Sequence, residues 1–230
     1  FMSIKGIIFD LDGVLVDTVP THYRAWERMF HEEGYEFGRK EYLKLVDGRL
    51  RFDGARAVMT DRDEESVFEA AYRKYAYYLE AIDRGEFNTF ESALRQVRAF
   101  HAQGYKLAAA SSSANVRHIL DKIGLLPLFE AVVGGPDVTH GKPHPEIFLT
   151  AAQRLGLSVE ECVVVEDAES GVAAAKGGGF YCYGLRYEDT SGDMPHSANL
   201  ELADTIIGSL EDMDLSKLSL SSEKSIQSSA

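Results

Sequence analysis

Cysteine is nearly missing from this chain: Cys162 and Cys182 are the two among 230 residues. Both fall inside apolar runs, so a disulfide framework is not expected, and two reduced core thiols are. Positive charge is also in short supply. Lys and Arg total 24 against 37 Asp and Glu, for a net charge of −13. Such a surface repels polyanions and argues against nucleic acid or an anionic membrane as the main partner. A small site can still be locally positive, so an anionic small molecule stays in play. No apolar run is long enough to span a bilayer, and no secretory leader pattern is visible; a cytoplasmic protein is expected. No internal repeat is visible. The remaining balance, 45% hydrophobic and 27% charged, is that of an ordinary globular chain.

Short apolar runs at residues 4–9, 106–110, 131–133, 162–165 and 180–183 read as buried parallel strands, with 205–207 a weaker sixth. Helical spacing lies between them at 91–101, 115–123, 145–155 and 171–176. Strands alternating with helices specify an α/β fold, a doubly wound parallel sheet covered on both faces. The rhythm breaks after the first strand. Residues 21–33, 39–46, 53–59 and 64–82 are all helical in pattern, so a small helical domain is inserted there. The expected organisation is a Rossmann-like core, 2–17 with 88–215, a helical cap, 18–87, and a disordered serine-rich tail, 216–230.

Ligands in doubly wound sheets bind outside the carboxyl ends of the strands. Four such ends carry chemistry here. The first delivers "DLDGVLVDT" from Asp10, the second the serine run 111–113, the third "GKPHPE" from Gly141, the fourth "EDAESG" from Glu166. Asp10 and Asp12 are two residues apart, which at strand spacing puts both carboxylates on one side. Glu166 and Asp167 add more negative charge. A hard divalent cation relieves that repulsion, and Mg2+ fits best beside a phosphate. Lys142 supplies a compensating charge. Ser111, with Ser112 and Ser113 as rivals, can hold an anionic oxygen. A carboxylate can attack phosphorus directly, so the set points to phosphoryl transfer through an aspartyl-phosphate.

These segments resemble the haloacid dehalogenase superfamily in its phosphatase and phosphomutase branch. The likeness rests on "FDLDGVLVDT", the serine strand end, "GKPHPEIF" and "VVVEDAESGVAAAKGGG", in order and through about Tyr187. It implies that Asp10 is the nucleophile and a metal ligand, and that Asp12 is the acid/base and lends its backbone carbonyl to the metal. It implies Asp167 as a further ligand, with Glu166 either a ligand or a bystander. Ser111, Ser112, Asn115 and Lys142 would bind phosphate. "THYRAW" at 21–26 resembles the hinge-side segment of β-phosphoglucomutase-like enzymes, where the histidine position, here His22, orients the acid/base aspartate. Arg51, with Arg49 as rival, and Lys74 fall where that branch has cationic cap residues. Trp26 reads as core packing, and Asp17 and Thr18 either cap the first cap helix or serve the site.

Departures from the pattern bear on the reaction. Ala114 stands before Asn115 where the mutase has a lysine, and "GEFNTFES" has no proline–glycine turn. The expected enzyme is therefore a Mg2+-dependent phosphatase for a small phosphorylated metabolite, a sugar phosphate. The alternatives are a β-phosphoglucomutase-type phosphomutase and, in another class, a non-catalytic phosphate-binding or signalling module. Receiver modules share the strand-end acids but have no helical insertion after strand one.

Overall fold

The computed structural model describes residues 3–46, 49, 51–187, 199–216 and 218. The expected disordered tail lies, apart from Ser216 and Leu218, outside the described residues. The chain divides into two compact units, Phe1–Asp17 with Thr89–Ala230, and Thr18–Asn88.

The first unit is built on a parallel sheet of six strands. They are β1 (Gly6–Phe9), β2 (Lys106–Ala110), β3 (Ala131–Val133), β4 (Cys162–Glu166), β5 (Tyr181–Leu185) and β6 (Thr205–Ile207). Their spatial order is β3-β2-β1-β4-β5-β6, so the topology reverses between β1 and β4, where such sheets bind ligands. Phe9 is level with Ala109 on one side and Val165 on the other. Alternation then sends successive side chains to opposite faces. Ile8, Ala108, Ala110 and Val164 join one core cluster with Ile147, Phe148 and Ala151 of a helix at Glu146–Leu155. Phe9 turns the other way, its ring 6.4 Å from that of Phe100 and 6.2 Å from that of Phe129. Cys162 and Cys182 are buried, free thiols.

The second unit is helical. Its longer helices are α1 (Val19–Glu32), α2 (Arg51–Val58) and α3 (Glu64–Asp83). In the first unit follow α4 (Glu91–Ala102), α5 (Val116–Lys122), α6 (Glu146–Leu155) and α7 (Glu169–Gly177). α1 buries Thr21, Ala25, Trp26, Met29 and Phe30, an i, i+4, i+5 stripe that packs against α3. Asp63 caps α3 by accepting from the Ser66 amide at 2.8 Å.

Some expected boundaries move. Phe180 does not begin a strand, because its amide donates to Ala175 O and closes α7. α7 starts at Glu169 rather than at Gly171. Residues 39–46 are not one α-helix: Arg39–Glu41 is α-helical, and Tyr42–Val46 is wound as a π-helix. Thr18 occupies the N-cap position of α1, yet its side chain makes no cap hydrogen bond. Among the described residues, no helix is long and apolar enough to cross a membrane.

Candidate active site

Strand β1 ends at Phe9. Asp10 is therefore the first residue past the sheet, with its amide donating to Val165 O at 3.0 Å. Because β1 and β4 are in register, this anchors Asp10 beside Glu166 at the switch point. Asp12 lies in the following turn and bridges to Val16 rather than continuing the strand. The two aspartates thus share a region through a turn, not through strand pleating as expected.

One lysine holds this carboxylate group together. Lys142 Nζ donates to Asp10 Oδ1 at 2.6 Å and also to Glu166 Oε1. The three side chains are nearly sealed, at 8% exposed for Lys142, 9% for Asp10 and 1% for Glu166. The other Glu166 oxygen accepts the Ala168 amide at 2.9 Å. Glu166 is thereby committed to Lys142 and the backbone, whereas Asp167 is not tied to the lysine by a hydrogen bond among those described.

Asp10, Glu166 and Asp167 each offer an oxygen within 4.8 Å of the others. One lysine cannot neutralise three carboxylates. Burial pushes the Asp10 carboxyl up to about 8; Lys142 opposes this, and Glu166 and Asp12 reinforce it. Burial, then Glu166 and Asp10, raise Asp167 well above the usual carboxylate range. Burial would lower Lys142, but Asp10 and Glu166 outweigh it and keep the ammonium charged. An all-oxygen donor set that repels itself when dry matches a hard divalent cation, and Asp10 with Asp167 are the residues suited to hold it.

Two glycines make room for the group. A Cβ at Gly13, whose φ is +78°, would lie 1.8 Å from Asp167 Oδ2. A Cβ at Gly171 would lie 1.8 Å from Glu166 Oε1. Gly171 received no role from the sequence. Its fixed place five residues after a strand-end acid was the available signal. Tyr187 was missed as well: its hydroxyl donates to Val14 O at 2.9 Å, and its ring stacks on Phe90.

Ser111 is buried, and its Oγ accepts the Ser113 amide at 3.1 Å, leaving the hydroxyl hydrogen to donate. Ser112 is exposed, and Asn115 is the N-cap residue of α5. His22, Lys74 and Arg51 belong to the helical unit. There Lys74 Nζ donates to His22 Nδ1 at 2.8 Å, and the His22 ring stacks on Tyr78 at 4.0 Å. Burial and then Lys74 push His22 well below its ordinary value, so the imidazole is neutral. Burial and then Arg51 push Lys74 down to about 7. Arg51 lies over Tyr75 at 4.3 Å and Tyr72 at 5.1 Å, while Arg49 is exposed. Trp26 is buried against Phe30, as expected of a core residue.

Several known proteins are similar to this chain over most of its length. A β-phosphoglucomutase of Bacillus subtilis (strain 168) is 31% identical over 190 residues, covering 79% of this chain and 83% of that protein. Hexitol phosphatase A of Escherichia coli (strain K12) is 31% identical over 220 residues, covering 94% of this chain and 96% of that protein. The crystal structure of β-phosphoglucomutase from Clostridium difficile superposes with a TM-score of 0.77 at 25% identity, covering 97% of this chain and 99% of that one. The haloacid dehalogenase-like hydrolase family model matches residues 4–179. With most of its length accounted for in this way, the chain belongs to the haloacid dehalogenase-like hydrolase family.

Proposed function

We propose that this protein is a Mg2+-dependent phosphatase that hydrolyses a small sugar phosphate through a phosphoryl group carried on Asp10. The observation that carries this reading is the Asp10–Lys142 contact inside an oxygen-only cluster at the topological switch point. Relatives named as a sugar-phosphate mutase and as a hexitol phosphatase support the substrate class.

An Asp10 carboxylate oxygen attacks phosphorus in line with the ester oxygen. The P–O bond to the leaving group breaks, and Asp12 gives that oxygen its proton. Asp12, now ionised, takes a proton from water; the water oxygen attacks phosphorus, and the Asp10–P bond breaks to release inorganic phosphate. Lys142 offsets negative charge at Asp10, and the Ser111 hydroxyl donates to a phosphate oxygen. Asp10 and Asp167 would hold Mg2+, with the Asp12 carbonyl; when bound, the ion supplies the positive charge that keeps the carboxylates ionised and neutralises the phosphoryl oxygens. Glu166, fully engaged by Lys142 and Ala168, acts as a holder of the lysine.

Hydrolysis is favoured over isomerisation because Ala114 removes a cation that would help retain a bisphosphate. The test supplies β-glucose 1-phosphate with Mg2+ and a trace of glucose 1,6-bisphosphate. Inorganic phosphate should form faster than glucose 6-phosphate. Rapid glucose 6-phosphate with little phosphate would instead establish the mutase.

A further inference from the structure

The turn that carries Lys142 has a second, outward side. His140 and His144 flank the lysine, and their side chains are 62% and 52% exposed. Glu146, the first residue of α6, follows two positions after His144. Glu146 Oε1 accepts the Thr139 amide at 2.8 Å, and Oε2 accepts the His140 amide at 2.9 Å, so the carboxylate is already fixed in place. His140 Nδ1 lies 2.8 Å from Glu146 Oε2, and His144 Nδ1 lies 3.9 Å from the same atom. The two imidazole rings are 4.6 Å apart. One ligand atom from each of the three residues falls within 4.8 Å of the others. Among the described residues one other group does this, the Asp10 cluster.

We propose that His140, His144 and Glu146 form a transition-metal site, selective for Zn2+ or a similar borderline divalent ion, on the outer side of the Lys142 turn. The donor set decides the ion. Two imidazole nitrogens and one carboxylate suit Zn2+, Ni2+ or Cu2+, whereas Mg2+ takes oxygen ligands. The two clusters therefore select different metals. The spacing is close to what binding needs. With bonds of about 2 Å, neighbouring ligands of a tetrahedral ion lie roughly 3–3.5 Å apart, a range bracketed by the 2.8 and 3.9 Å separations.

Little has to be rearranged. The exposed His140–Glu146 contact is exchanged for metal bonds, and such surface pairs contribute little. His144 gives up a 3.3 Å bond from the Glu146 amide if it ligates through Nδ1, and keeps it if it ligates through Nε2. The Thr139 amide, then the His140 side chain, hold the Glu146 carboxyl below its ordinary value, and the two backbone amides keep the carboxylate in place as a ligand when the His140 ring turns to the metal. The site leaves positions for water and sits on the peptide segment whose lysine reaches Asp10 and Glu166. An ion bound there braces that segment from outside, independently of whether the core transfers phosphoryl groups.

The experiment is equilibrium dialysis of the untagged full-length protein against Zn2+ in millimolar Mg2+, with Ni2+ in a parallel arm. The unmodified protein should retain one Zn2+ equivalent, and His140→Ala/His144→Ala should lose it. Asp167→Asn, which alters only the oxygen cluster, should keep it. Co2+ in place of Zn2+ should give a ligand-field absorption that disappears in the double histidine variant. No retained Zn2+, equal retention by the double variant, or loss in Asp167→Asn alone would each overturn the proposal. The histidines are exposed, so their removal leaves the core packing untouched.

Discussion

Asp10 is asked to be an ionised nucleophile in a place that disfavours its charge. The carboxyl is pushed up to about 8 in the folded chain, from an ordinary 3.8, chiefly by burial. The folded state therefore keeps a proton that the unfolded state releases between those values. By linkage, the contribution of Asp10 to the stability of the metal-free protein falls as pH rises from near 4 and levels off above about 8. Asp10→Asn abolishes that penalty. We expect the variant to unfold at higher temperature than the parent at pH 8 in EDTA, to match it near pH 4, and to have no turnover. A variant that keeps Mg2+-dependent activity would rule out the aspartyl-phosphate. Gly171 makes a complementary case, since any Cβ there meets the Glu166 carboxylate at 1.8 Å. Gly171→Ala should disturb the Glu166–Lys142 contact and destabilise by more than about 4 kcal/mol. Helix propensity alone would make Gly171→Ala more stable by about 1 kcal/mol, so a loss of stability in urea unfolding reports the clash, and unchanged or increased stability would refute it.

At the scale of elements, the two units contrast. α3 buries Lys74 as if it were apolar, in line with Val67, Ala70, Ala71 and Tyr78. Its ammonium lies 4.8 Å from the Trp26 ring centre and 2.8 Å from His22 Nδ1. The depressed value of about 7 means that the folded unit binds fewer protons than the unfolded chain between there and 10.5. Stability of the helical unit should accordingly rise with pH across that window. Lys74→Met should flatten the rise and stabilise the unit at pH 7. Denaturation followed by Trp26 emission at pH 7, 8.5 and 10 checks this; parallel slopes for parent and variant would refute it. Much of the core could be read before any coordinates, because the strands are short, mostly apolar runs, three of which meet a polar residue at their end, at Asp10, Ser111 and Glu166. Residues 106–110, 131–133 and 205–207 have the expected limits. The strand-end acids were readable for the same reason, since their positions follow from where a run stops, whereas Lys142, well past the strand that ends at Val133, was readable from the GKPHPE segment. The helical unit was less readable. Periodicity over 39–46 carries no mark of the π winding at Tyr42–Val46. The Arg51 stacking on Tyr72 and Tyr75 depends on how α2 meets α3, which spacing along one helix does not encode.

For the whole molecule, the order of the strands has a kinetic meaning. β1 is made first, yet it is central: Gly6 pairs with Lys106 on one side and Cys162 on the other. Both partners leave the ribosome long after it does, so four apolar residues wait unpaired through most of synthesis. Contacts so distant in sequence make closure of the sheet slow. The helical unit, Thr18–Asn88, is continuous and closes through neighbours such as α1 and α3. The single tryptophan, Trp26, belongs to that unit and is a built-in reporter of it alone. On dilution from urea, its emission should recover in an early phase, and hydrogen-exchange protection of Ile7, Ile8 and Phe9 in a later one. Recovery of both at one rate would mean that the two units fold as one. A newly made chain would thus pass through a state with a formed helical unit and an open sheet, whose exposed β1 is the segment that a chaperone would recognise or that would aggregate.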